Sequence, residues 1–94
     1  MVAQVIGRRD LDFLDEGGKP VKGLQLHLIR PVALRERDNG YEGEYMYEKL
    51  FVPRNSSLYG VGKGLTVGKD YLFDYEVVGK KAYLNSVQDA SKGA

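Results

Sequence analysis

Gly, Pro, Asn and Asp recur along this chain at such short intervals that no long amphipathic helix can be drawn through it. The segments between them alternate, or are β-branched and aromatic, which is the pattern of strands. The clearest case is residues 21–30, VKGLQLHLIR. Leu24, Leu26 and Leu28 fall on one face there, with Gln25 and His27 on the other, because successive strand side chains point to opposite sides. Three leucines in register mark the core side, and Ile29 and Pro31 interrupt the alternation. An earlier strand starts at Val2–Ile6 and runs on through Gly7, a bulge or bend, into RRDLDFL, where Leu11 and Phe13 oppose Asp10 and Asp12. Residues 15–20, DEGGKP, form the turn that joins these two strands as an antiparallel pair.

Residues 35–44, RERDNGYEGE, carry charges of both signs around Asn39-Gly40, a hairpin-turn dipeptide. They are expected to be the tip of a long, mobile hairpin on which Arg35, Arg37 and Tyr41 ride. Residues 43–53, GEYMYEKLFVP, are the returning strand, stopped by Pro53. An irregular connection with one helical turn, RNSSLYGVGKG, leads to a strand at Leu65–Val67, a strand through Tyr71–Val77, a turn at Gly79-Lys80 and a final strand. Tyr71, Phe73, Tyr75 and Val77 share one face against Asp74 and Glu76, so Tyr71, Phe73 and Tyr75 are expected to point inward. The fold expected is all-β: one small five-stranded barrel, OB-fold-like, with long hairpins. Closure suits it because it removes the exposed edges of an open sheet. The barrel is expected to span 1–88 and a frayed tail 89–94. An SH3-like barrel and a small sandwich are the alternatives.

A chain of 94 residues buries only about 60 % of its unfolded surface, which leaves little room for an enclosed active site. It has no cysteine and a single histidine, His27, so thiolate metal sites and disulfides are excluded and zinc chemistry has no ligand set. No catalytic base can be given a partner and a pocket, and no paired carboxylates stand out. The expectation is therefore a non-enzyme with no cofactor and no small-molecule substrate. The glycines of YGVGKGLTVGK do not make a phosphate loop, since Gly64 and Gly68 enclose three residues rather than four and Asp70 follows Lys69. The N-terminus lacks a signal-peptide apolar run, and no stretch has the length of a membrane span, so the cytoplasm of a bacterial host is the compartment expected. The formal net charge is +1, well short of a strongly basic duplex binder, and the question becomes whether the cations share a face.

Nine aromatic residues, Tyr41, Tyr45, Tyr47, Phe51, Tyr59, Tyr71, Phe73, Tyr75 and Tyr83, are interleaved with Arg30, Arg35, Arg37, Lys49, Arg54, Lys63 and Lys69. Single-stranded nucleic acid needs that chemistry, flat rings for unpaired bases and cations for phosphates. Strand packing alone also uses Tyr and Phe. Parity separates the two uses. In residues 45–52 the even positions include Leu50 and Val52, which suit a core, so Tyr45, Tyr47 and Lys49 face outward, where two exposed rings beside a cation need a partner.

In overall plan the chain resembles the small OB-fold single-stranded DNA-binding proteins of phages and plasmids, of the filamentous-phage helix-destabilising type. The likeness rests on its length, the lack of cysteine, the early hairpin at DEGGKP, the charged RERDNGYEGEY and the closing LTVGKDYLFDYEVVGKKAYLNSV. It implies a homodimer that coats single strands cooperatively, with the charged hairpin over the DNA backbone. The function expected is sequence-tolerant binding of single-stranded DNA, or RNA, in phage or plasmid replication. Tyr41, Tyr45 and Tyr47 would stack bases, and Arg35, Arg37, Lys49 and Arg54 would contact phosphates. A protein-interaction or assembly module with no nucleic-acid ligand is the alternative, its tyrosines serving as interface anchors.

Overall fold

The alternating segments form strands, except Leu65–Val67. The computed structural model describes residues 1–90, and its elements in chain order are β1 (Val2–Leu14), β2 (Pro20–Pro31), α1 (Leu34–Asp38), β3 (Tyr45–Pro53), α2 (Tyr59–Lys63), β4 (Asp70–Val78) and β5 (Lys81–Asp89). The strands close into a barrel in the order β1-β2-β3-β5-β4. Neighbours are antiparallel except β3 and β5, which run parallel and meet at Phe51 and Tyr83. A closed, mixed five-stranded barrel with this order and a helix between its third and fourth strands has OB-fold-like topology, as expected from the sequence.

The three leucines of β2 are inside, with Leu24 and Leu26 at 1 % and 0 % exposure. Val5, Leu50, Val52, Phe73 and Leu84 complete the centre from the other four strands. Tyr71 is buried too, and its hydroxyl accepts a hydrogen bond from the Thr66 N–H, so no polar atom is stranded there. The short helix α2 lies over one end of the barrel. Gly62 is buried in it because a Cβ at that position would stand 2.8 Å from Leu24 Cδ2.

Two irregularities set which residues face out. In β1 the pairing with β2 shifts between Val5 and Gly7, leaving Ile6 as the extra residue of a bulge. Before it the odd residues Ala3 and Val5 are buried. After it the alternation flips, so that Arg9, Leu11 and Phe13 come to the outer side opposite Gln25, Gly23 and Val21. The bend expected at Gly7 is thus this bulge. The second shift, between β4 and β5, falls at Asp74/Tyr75.

Several expectations are corrected. Residues 35–44 are not the tip of a long hairpin: Leu34–Asp38 is a helical turn, and Asn39-Gly40 ends it, with Gly40 at φ +95°. Its anchor is Arg30, whose guanidinium donates to both Glu36 oxygens at 2.7 and 2.8 Å and also to Glu48 at 2.8 and 3.1 Å. Leu65–Val67 forms turns, and β4 starts only at Asp70. Tyr71 and Phe73 are inside as expected, but Tyr75 is 40 % exposed, lying beyond Leu72, where the pairing of β4 with β1 ends. Of the tail expected at 89–94, Asp89 is the last residue of β5 and its carboxylate pairs with Lys69, while 91–94 lie outside the described residues.

Candidate nucleic-acid interface

The outer side of the β1–β2–β3 sheet carries the residues singled out on β3. Tyr45, Tyr47, Lys49 and Phe51 are successive outward positions, about 7 Å apart along the strand. In register beside the first three stand Pro31, Ile29 and His27 of β2. Tyr45 is 56 % and Tyr47 46 % exposed, while the alternate residues Leu50 and Val52 are in the core. The parity argument therefore places these rings correctly.

His27 is part of this surface rather than a bystander. The Tyr47 hydroxyl is hydrogen-bonded to His27 Nδ1, and the two rings lie 5.9 Å apart at 55°. A neutral imidazole accepts at Nδ1 or donates from it according to its tautomer. Partial burial, first, and then the nearby Arg9 and Lys49 cations push the His27 pKa below its ordinary 6.5. Arg9 and Lys49 are exposed and have no carboxylate partner among the described residues, so β1, β2 and β3 together put two uncompensated cations next to His27, which is bonded to Tyr47. Arg9 was not singled out in the sequence, since its place beside His27 depends on the pairing of β1 with β2 and on the Ile6 bulge.

The other expected residues divide. Tyr41 sits next to Tyr45, its hydroxyl donating 2.6 Å to the Tyr45 carbonyl, and it is 37 % exposed. Arg35 and Arg37 are exposed on α1, and Arg35 lines a hollow with Met1, Val2 and Tyr75 rather than with Tyr45. Arg54 is separate. It lies beyond the other end of β3 and is engaged with Asp10 at 3.4 Å and Asp12 at 3.8 Å. Those carboxylates belong to the alternation of β1 opposite to Arg9 and Leu11. Asp10 also accepts from the Tyr59 hydroxyl at 2.7 Å and pairs with Lys63 at 3.4 Å, and these hydrogen bonds, Tyr59 first, hold its carboxyl below the usual range. Arg54 is thus part of an internally neutralised cluster, and its cation is committed.

Among the described residues no group of three or more His, Cys, Asp or Glu is placed to hold a metal ion, and no helix is long and apolar enough to cross a membrane. What the outer face offers is flat rings, an imidazole bonded to one of them, and the cations Arg9 and Lys49. No protein-family model, curated protein or solved structure matches the chain.

Proposed function

We propose that the protein binds single-stranded nucleic acid, DNA in the first place, without sequence preference and without catalysis, in the replication of a phage or plasmid. The observation that carries this reading is the outer row of β3, in which exposed Tyr45 and Tyr47 are followed by unpaired Lys49 beside His27 and Arg9. Bases stack on the rings at about 1–3 kcal/mol each, and phosphates meet the cations. The strands 2–3 face of OB-folds is a common place for oligonucleotides, which supports the choice of surface. Arg54 plays no part in this reading.

The test uses the seven tyrosines of a chain without tryptophan. Tyrosine emission is followed while oligo-dT is added at low salt, and salt is then raised. Quenching that salt reverses, and that weakens in Tyr45→Ala and Tyr47→Ala, is expected. Equal affinity for duplex and single strand overturns the stacking part, and absence of binding by folded protein overturns the whole.

A second reading has its own observation. Val77 and Val78, 65 % and 57 % exposed, sit at the end of the β4–β5 hairpin, an apolar tip of the kind found at protein contacts. A protein-interaction module, or the homodimer that the phage-protein likeness implies, would use it. Sedimentation without nucleic acid separates the two: a dimer accords with the first reading, a large discrete assembly with the second.

A further inference from the structure

The outward row of β3 does not stop at Lys49. Its next member, Phe51, belongs to a groove of about 300 Å3 that opens between two hairpins. Phe13 and Val21 line it from the β1–β2 hairpin, and Lys80 and Lys81 from the β4–β5 turn and strand. Phe13 faces this way because of the Ile6 bulge, and it is 50 % exposed. Phe51 is fixed rather than free: its ring meets Tyr83 edge-on at 5.8 Å, and Gly23 leaves it room from below. Lys81 Nζ rests 5.2 Å from the Phe51 ring centroid.

The lining holds two aromatic rings and three lysines, Lys49, Lys80 and Lys81, and no carboxylate. That combination suits a planar group with apolar faces and negative charge on its flanks. The volume is at the small end for ligand sites, which run from about 300 to 1,000 Å3, and suits one base-sized ring. Gln25, also in the lining, brings an amide donor and acceptor to the edge of such a ring.

We infer that this groove takes one unpaired nucleobase of the bound strand, placed against Phe51 and Phe13, with the flanking phosphates on Lys49, Lys80 and Lys81. The inference rests on the single-strand reading above and extends it to a subsite at the opposite end of β3 from Tyr45. The strand then runs the length of β3, and Lys81 leaves the face of Phe51 for a phosphate as the base enters.

Two variants with one indole each, Phe13→Trp and Tyr47→Trp, test the groove and the parent reading separately, since the chain has no tryptophan of its own. Both are titrated with oligo-dT at low salt, and binding is followed in parallel by anisotropy of a labelled oligo-dT. Quenching of the Phe13→Trp emission that saturates with binding is expected, whether or not Tyr47→Trp responds. Binding with the Phe13→Trp emission unchanged overturns the groove while the single-strand reading stands. No binding by either folded variant or by the parent protein overturns both. Phe13→Ala, a truncation at an exposed site, is expected to weaken oligo-dT binding about tenfold, and a change of less than about twofold also counts against the groove.

Discussion

Gly23→Ala is the substitution whose sign the structure decides. A glycine inside a strand ordinarily weakens it, so alanine in open space stabilises by about 0.4–1 kcal/mol through the unfolded chain. At position 23 there is no space. The new Cβ would lie 2.5 Å from the Val52 carbonyl oxygen and 2.6 and 2.8 Å from Cζ and Cε2 of Phe51. The ring can tilt, but the carbonyl belongs to a strand in which Gly23 pairs with Pro53 and Leu24 with Val52, so the backbone itself must shift. Overpacking of this kind costs about 1–3 kcal/mol, toward the upper end when backbone is involved. Setting the gain against the cost leaves a net loss of about 1–2 kcal/mol. For a domain of this size that lowers the melting temperature by about 5–15 °C. Thermal and urea unfolding followed by circular dichroism measure it. Gly7→Ala is the control, since nothing lies within 4 Å of a Cβ there, and its melting temperature is expected to stay level or rise slightly. If Gly23→Ala melts at or above the parent, the close approach of β2 to Phe51 is wrong.

Three further expectations follow from the charges. Lys49→Gln is expected to lower the slope of log affinity against log salt for oligo-dT by about 0.7, the loss of one phosphate contact on a single strand, whereas Arg54→Gln leaves that slope as it was; the reverse ranking refutes the assignment of Arg54 to the acidic cluster. Arg30, and the Ala33 N–H after it, hold the Glu36 carboxyl at about 2 against an ordinary 4.5. The unfolded chain binds the proton first, so this contribution to stability is complete above about pH 4.5 and is lost as the pH falls from there toward 2. Acid melts of Glu36→Gln should lack that part of the decline, and a parent and variant that decline in parallel would count against the anchor. For His27, whose pKa is depressed, stability is lost as the pH drops below the unfolded value near 6.5. Its ring signals in NMR should titrate below 6.5 in the free protein and move upward when oligo-dT supplies phosphates beside Arg9 and Lys49; an unchanged midpoint in the bound state would show that no phosphate comes near.

The core was legible because period-two patterning is local: Leu24, Leu26, Leu28, Leu50 and Val52 announce their side of a sheet without knowledge of its neighbours. The exposure of Tyr45 and Tyr47 followed from the same rule applied to the other face. What the pattern cannot carry is pairing. Arg9 reaches His27, and Phe13 reaches Phe51, only through the register of β1 on β2 and the one-residue bulge at Ile6, a feature with no signal beyond Gly7. The charged stretch misled for a related reason. Asn39-Gly40 serves a hairpin turn or a helix end equally well, and the choice was made by side-chain pairing: Arg30, held by Glu48 on β3, also binds Glu36 and so draws Leu34–Asp38 against the barrel. Arg54 was counted as a cation by type, while its actual availability depends on Asp10 and Asp12, more than forty positions earlier by the chain.

The parallel meeting of β3 and β5 has a kinetic side. Phe51 and Tyr83 are the registered pair that closes the barrel, whereas β2 is laced to β3 from Gly23 to Pro31. Local opening should begin at that seam, and amide hydrogens of β5 near Tyr83 should exchange with solvent sooner than those in the middle of β2. The groove beside Phe51 has Lys81 and Ala82 of β5 on its far wall, so whatever fills it touches both lips of the seam. Slower exchange at Tyr83 on adding a ligand would then report the barrel being latched shut from outside.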